Sequence, residues 1–326
     1  LVAVLVAAFP FRSPAPLVYR PGEGWSYEEA GTEGEWLRPR ARDQLGVAQA
    51  AFDKKDYNLA EKAAARVVSV WPLSDYAPQA EYLLARCHEA TEYDERAFND
   101  YQKLLDKYPN SANYEEVLRR QFEICGRFLN GERFRLWGYL PLFPSMEKTV
   151  GLYEKLIKNG PYSEVAPQAQ LNIGKAYEKE TRFLNDNEPY VNAAKAYQLA
   201  ADRYHDRPDV AAEALFQQGL ATEKQAKTAE YDQSTAGDAI DTFTDFITRY
   251  PDDPRVPQAQ AIIGQLKTEQ ARGNYEIARY YDGKKQWRGA RIYYNEVVSK
   301  NPDSPYKDVC LRRIAVLNEL IEGSGK

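Results

Sequence analysis

The stretch Ala97-Phe-Asn-Asp-Tyr101-Gln-Lys-Leu104-Leu105-Asp-Lys-Tyr108-Pro109-Asn-Ser111 decides the fold. Its apolar residues recur at three- and four-residue steps, which places them on one face of a helix. Pro109 ends that helix, because proline lacks the amide hydrogen and pushes the preceding residue toward extended backbone. The closing phrase returns as Trp71-Pro72-Leu-Ser, Gly160-Pro161-Tyr-Ser, Tyr250-Pro251-Asp-Asp and Asn301-Pro302-Asp-Ser, with Tyr204-His205-Asp-Arg as a degenerate copy. Twelve residues before each phrase's Pro (or His205) stand Ala60, Ala97, Thr149, Ala193, Ala239 and Ala290. Eight residues before stand Ala64, Tyr101, Tyr153, Tyr197, Phe243 and Tyr294. A small residue lets two helices approach, and a ring one turn later fills the gap between layers.

A second phrase follows the first in three copies: Tyr76-Ala-Pro-Gln-Ala, Val165-Ala-Pro-Gln-Ala-Gln and Val256-Pro-Gln-Ala-Gln. Two units keep a full 34-residue register, one through Leu84, Ala85, Ala97, Tyr101, Leu104 and Pro109, the other through Ile277, Ala278, Tyr281, Ala290, Tyr294, Val297 and Pro302. This pattern resembles the tetratricopeptide-repeat family. The expected fold is all-α, a tetratricopeptide-like helical-repeat superhelix of about six helix pairs plus a C-terminal capping helix. First helices are expected near 39–53, 76–90, 112–129, 164–181, 209–228 and 256–282. Their partners are expected near 57–70, 94–107, 145–159, 190–204, 236–249 and 287–299, with the cap at 305–321. The intervals between closing phrases lengthen after Pro109, so units three to six carry extra residues within or between helices. No strand is required anywhere.

The ends divide the chain further. Residues 1–16 begin with the uncharged run Leu1-Val-Ala-Val-Leu-Val-Ala-Ala-Phe9, too short to span a bilayer but suited to the apolar part of a secretory signal. Residues 17–38 read as a polar, Gly/Pro-rich linker, and 39–322 as the repeat array, interrupted by an aromatic insertion at 130–145. Export is the expectation.

Composition narrows the function. The 43 basic and 48 acidic residues, net −5, are spread along the chain without a basic block, which argues against nucleic acid. Cys87, Cys125 and Cys310 are odd in number and far apart, so they read as buried small hydrophobes rather than a disulfide framework or zinc site. His88 and His205 lie on different units with no spacing that suggests a metal or a triad, and read as structural. Gly22-Glu-Gly24 lacks a preceding strand, and the acidic pairs Glu28-Glu29, Glu115-Glu116 and Asp252-Asp253 fall at helix starts or turns. No catalytic residue, cofactor or metal ligand is expected; the chain reads as a protein-binding scaffold.

Two segments are candidate binding elements. In Gly131-Glu-Arg-Phe-Arg-Leu-Trp137-Gly-Tyr139-Leu-Pro-Leu142-Phe143-Pro144, the apolar side chains either tuck back onto the repeat's own groove or dock a partner. In the last pair, Arg279, Tyr280, Tyr281, Trp287, Arg288 and Arg291 form a basic-aromatic cluster. Tyr281 and Trp287 have register reasons to be core; Arg279, Arg288 and Arg291 are left to face a partner.

Within tetratricopeptide proteins the chain resembles the BamD family of outer-membrane β-barrel assembly lipoproteins. The resemblance rests on Trp71-Pro-Leu-Ser-Asp-Tyr76 and a Gln/Ala-led helix after it, and on Asn274-Tyr-Glu-Ile-Ala-Arg-Tyr280-Tyr281 with Lys284, Lys285 and Trp287. It implies a location at the periplasmic face of the outer membrane, a barrel-assembly subunit bound through the C-terminal repeats, and unfolded outer-membrane protein segments recognised near the N-terminal ones. Two features depart from the family: six pairs instead of about five, and no lipobox cysteine after the apolar run. Membrane association is therefore expected through a partner or the N-terminus. The competing reading is another periplasmic adaptor, such as one coordinating cell-wall synthesis with division. The coiled-coil segment usual in such proteins has no heptad run here before residue 39.

Overall fold

A computed structural model describes residues 17–20, 22, 24–27, 36–110, 113–136, 140–141, 144–180, 188–228 and 233–323. The chain divides into two compact units, Leu1–Pro144 and Ser145–Lys326, each considered by itself. The first unit holds α1 (Ala41–Asp53), α2 (Tyr57–Val70), α3 (Ala77–Ala90), α4 (Asp94–Lys107) and α5 (Tyr114–Leu129). The second holds α6 (Met146–Asn159), α7 (Ala166–Glu180), α8 (Glu188–Arg203), α9 (Pro208–Thr228) and α10 (Gln233–Arg249), then α11 (Val256–Gly283), α12 (Trp287–Lys300) and α13 (Lys307–Gly323). Every expected helix is present, with ends within three residues of the expected bounds. The architecture is an all-α helical repeat. The unit boundary falls inside the third expected pair, between α5 and α6.

Two short antiparallel ribbons add to the helices, although the sequence pattern contains no cue for them. In the stretch read as a linker, β1 (Leu17–Arg20) pairs with β2 (Gly24–Tyr27). In the insertion, β3 (Arg135–Leu136) pairs with β4 (Leu140–Pro141). The signal-like segment 1–16 lies outside the described residues.

The turns between pairs explain the closing phrase. The Ser74 amide donates to the Trp71 carbonyl at 3.1 Å, and the Ala77 amide to the Ser74 carbonyl at 3.0 Å. The same two steps recur from Gly160 through Ser163 to Ala166, from Tyr250 through Asp253 to Val256, and from Asn301 through Ser304 to Lys307. Proline presets the backbone for the second position of such a turn, and the small polar residue two places on starts the next helix. The Ser74 and Ser304 hydroxyls accept from the amides of Tyr76 (3.2 Å) and Tyr306 (3.1 Å), and the Asp253 carboxylate accepts from the Arg255 amide (2.9 Å). Where His205 stands in for proline, the Arg207 amide still reaches the Tyr204 carbonyl at 3.0 Å. That bond does not need the proline ring.

The turns inside pairs come in two kinds. In α1–α2, α3–α4 and α11–α12 the chain turns through Lys55, Glu92 and Lys285, at φ 62°, 59° and 60°. Each lies five residues before the conserved-register Ala60, Ala97 or Ala290. The bonds repeat as well: Lys55 to Phe52, Glu92 to Glu89 and Lys285 to Asp282, then Asp56 to Ala51, Tyr93 to His88 and Gln286 to Tyr281. This is the left-handed C-terminal cap, with a six-to-one bond closing the helix. In α7–α8 and α9–α10 the connection is longer, and residues 181–187 and 229–232 separate the helices. In α7–α8 extra residues lie between the paired helices, whereas in α9–α10 they lie mostly within the helices, which run 21 and 17 residues.

Helix approach follows the same division. In the short-turn pairs the small residues are Ala48, Ala85 and Ala278, all fully buried and sixteen residues before Ala64, Tyr101 and Tyr294. In the long pairs it is glycine. A Cβ on Gly174 would stand 2.4 Å from Tyr197 Cε1, and one on Gly219 would stand 2.7 Å from Phe243 Cε1. The ring lies directly on the first helix, where only hydrogen fits.

The core tyrosines differ in what their hydroxyls meet. Tyr101 donates to Glu89 (2.9 Å), which also takes Arg120 of the following helix (3.1 Å). Tyr294 donates to Asp282 at a longer 3.4 Å, and Asp282 takes Arg313 of the following helix through two bonds of 2.5 and 2.7 Å. The register is identical: acid twelve residues before the ring, arginine nineteen after. At that later position Asn172 donates to the Tyr153 hydroxyl (3.1 Å). Phe216 occupies it for Tyr197, whose buried hydroxyl has no partner. Arg313 thus marks α13 as a further first helix, which is why it caps the array.

The three cysteines are buried and unpaired, as expected, and burial pushes the thiols of Cys87 and Cys310 up to about 12 and about 11. His88 is structural: its Nδ1 meets the Asp100 carboxylate of α4 at 2.6 Å, tying α3 to α4.

Candidate functional site

At the C-terminal end, α11 and α12 carry a ladder of rings. Tyr281 stacks on Tyr293 at 5.5 Å and Tyr275 on Tyr306 at 4.9 Å. Tyr281 and Trp287 pack partly buried against the Ala278–Tyr294 core, as their register requires. Tyr280 is 62% exposed, with the Lys284 ammonium 5.8 Å from its ring centre. Arg279 is exposed 3.6 Å from Glu276 and lies 5.8 Å over Tyr275. Arg288 is exposed at the start of α12. Arg291 is different: half-buried, it donates to Asn318 Oδ1 at 3.0 Å and braces α12 on α13. Arg279, Tyr280 and Arg288 are thus the exposed members of the expected surface. Trp137, Tyr139, Leu142 and Phe143 lie outside the described residues.

A larger concavity, of about 1130 Å³, opens between α6, α7 and α8. Its floor is buried and mostly apolar: Ile157, Pro167, Ile173 and Ala196, with Gln170 anchored to the Ala196 carbonyl at 3.3 Å. The Gly174–Tyr197 contact beside it holds α7 against α8. At one end the Tyr204 hydroxyl reaches the Pro161 carbonyl at 3.5 Å, fixing the turn that carries Tyr162. Burial pushes the Tyr204 phenol up, against the pull of the Arg203 guanidinium. Tyr162 is 97% exposed and Leu199 46%. Around the rim stand Lys158, Lys195, Arg203 and Arg207 against Glu154 and Asp206.

In the sequence Tyr162 stands within one more copy of the closing phrase. The cue was its contrast with Asn110, Asp252 and Asp303, small polar residues at the same turn position. Leu73, 91% exposed, shares that position in the first unit.

The first unit has its own charged concavity, about 730 Å³, beside α3 and α5. There the cations are largely engaged. Arg127 binds Asp94 through two bonds of 2.5 Å, Arg120 binds Glu89, and Arg135 lies 4.4 Å over the Tyr93 ring. Burial, then the adjacent Asp94 carboxylate, pushes the Glu132 carboxyl up to about 7. Among the described residues no cluster of His, Cys, Asp and Glu is arranged to hold a metal ion. Among them, too, no helix is long and apolar enough to cross a membrane.

A tetratricopeptide-repeat model matches residues 79–111, which cover the α3–α4 pair except the first two residues of α3. No curated protein matches the chain. Among solved structures, the C-terminal part of a repeat-containing protein from Cytophaga hutchinsonii is 17% identical, covering 83% of this chain and 87% of that one at a TM-score of 0.36. A tetratricopeptide repeat protein from Parabacteroides merdae is 12% identical, covering 85% and 98% at 0.33. MamA from Desulfovibrio magneticus is 13% identical, covering 65% and 97% at 0.32. These scores are too low to carry any argument. The YfiO model, described as an outer membrane lipoprotein, matches residues 145–322, beginning where the second unit begins. With more than half of its length matched, and with the helical repeat that the match requires, the chain belongs to the YfiO outer membrane lipoprotein family.

Proposed function

We propose that this chain is a non-enzymatic scaffold of the outer-membrane protein assembly machinery, working at the periplasmic face of the outer membrane. It binds a barrel-assembly subunit and unfolded segments of outer-membrane proteins. Residues 1–16 deliver it to the envelope, 17–38 link that segment to the array, and membrane association runs through a partner or the N-terminus. The observation that supports this reading most is the α6–α8 groove. It lies within the stretch matched to the family, and its apolar floor and exposed Tyr162 suit a chain laid across the helices. The exposed Arg279, Tyr280 and Arg288 offer a second contact on α11 and α12, and the 130–145 insertion a third. Affinity purification of the tagged chain from its native envelope tests the reading. Recovery of the barrel-assembly subunit is the expected outcome; recovery of peptidoglycan synthases alone contradicts it.

A further inference from the structure

The α6–α8 groove has a charge pattern that specifies what enters it. Its rim carries four permanent cations and two carboxylates, on a chain whose net charge is −5. None of Lys158, Lys195, Arg203 and Arg207 makes an ion pair among the described residues. Elsewhere in the same unit arginines do find carboxylates: Arg313 pairs with Asp282, and Arg255 with both Asp253 and Glu213. The groove is therefore a local positive field over an apolar floor, and such a field draws in anions and rejects cations.

Apolar surface accompanies the charge. Tyr162 presents its whole ring to solvent at the lip, and Leu199 stands half-exposed on α8. Tyr and Arg are residue types that dominate binding energy at protein interfaces, because each combines area with polar contacts. The floor between them is formed by Ile157, Ile173 and Ala196. It takes an aliphatic or aromatic side chain and gives a lone phosphate nothing.

We infer that the groove between α6, α7 and α8 holds an extended segment of a partner protein in which a bulky apolar side chain is flanked by carboxylates. The apolar side chain sits on the Ile157–Ile173 floor, and the carboxylates pair with the rim cations Lys158, Lys195, Arg203 and Arg207. This deepens the protein-binding reading above and rests on it.

Two fluorescein-labelled synthetic octapeptides test it by anisotropy: Asp-Glu-Phe-Leu-Asp-Glu-Phe-Leu, and the same peptide with lysine at every acidic position. The acidic peptide is expected to bind at least about tenfold more tightly, and to weaken as salt rises from about 50 to about 500 mM. Lys195→Glu with Arg207→Glu should weaken it by about tenfold or more, and Tyr162→Ala by about fivefold, with melting temperature unchanged. All three side chains are exposed, so folding is not at stake. Equal binding of the two peptides, or indifference to the double charge reversal, overturns the inference. So does displacement of the acidic peptide by phosphatidylglycerol vesicles but not by excess unlabelled peptide, which would make the groove a lipid site. Co-purification from the envelope is run beside it with the unaltered chain. Partners recovered without peptide discrimination defeat this inference alone, whereas absence of the barrel-assembly subunit defeats the scaffold reading itself.

Discussion

The α3–α4 and α7–α8 pairs place a tyrosine at the same register and hold it in different ways. In α3–α4 the first helix carries buried Ala85, the turn closes through left-handed Glu92, and Tyr101 joins Glu89 and Arg120. In α7–α8 the turn is replaced by a longer connection, the ring of Tyr197 lies on Gly174, and its hydroxyl has no hydrogen-bond partner among the described residues. The short turn brings the acid at the end of the first helix back beside the ring, so a polar clamp can form. Where the connection lengthens, closeness must come from removing a Cβ. The α11–α12 pair confirms the first pattern with Ala278, Lys285, Tyr294, Asp282 and Arg313, and α9–α10 the second with Gly219 and Phe243. Of the two glycine-packed pairs, α7–α8 walls the candidate groove.

The largest expected effect breaks the dry pair. Gly174→Ala puts a methyl 2.4 Å from the Tyr197 ring, and overpacking of this kind costs about 1–3 kcal/mol or more. Gly264→Ala, at an exposed position of α11 with nothing within 4 Å, should instead gain up to about 1 kcal/mol from helix propensity. Equal responses of the two variants in urea unfolding would erase the distinction.

Next comes the clamp. Glu89→Ala leaves the Tyr101 hydroxyl and Arg120 without their shared acceptor, a loss of about 1–3 kcal/mol. Asp282→Ala should cost less than Glu89→Ala, because its tyrosine bond is long and Arg313 is more exposed than Arg120. Thermal denaturation of both variants checks the order.

The smallest effect is the most diagnostic. Tyr101→Phe should lose about 1 kcal/mol, whereas Tyr197→Phe should be neutral or stabilising by a similar amount, since it removes a buried hydroxyl that bonds to nothing. If Tyr197→Phe destabilised as much as Tyr101→Phe, the dry description of α7–α8 would be wrong.

Much of this was legible in the sequence. The Pro-led phrases and the ring positions located every helix, because a closing proline and a buried aromatic act locally and repeat. What escaped depends on contacts between helices. The Tyr101–Glu89–Arg120 clamp joins residues up to 31 positions apart, and acids and arginines are too common for that spacing to stand out. Gly174 and Gly219 lie outside the 34-residue register that the longer connections break, so their role showed only when the rings were placed. Of the expected binding residues, Arg291 looked free on α12 because Asn318, its partner, belongs to the capping helix. Tyr162 was hidden by fitting the phrase too well.

Whether the α6–α8 groove receives a partner chain is read out by a photocrosslinker placed at its lip. Benzoylphenylalanine is placed at position 162, and separately at Leu73, the equally exposed turn residue of the first unit. Both are irradiated in the native envelope, and the adducts are identified by mass spectrometry. The expected result is an adduct from position 162 containing the barrel-assembly subunit or an outer-membrane protein, suppressed by the Lys195→Glu, Arg207→Glu double variant. The same adduct from both positions, or one at 162 that ignores the charge reversal, would contradict it.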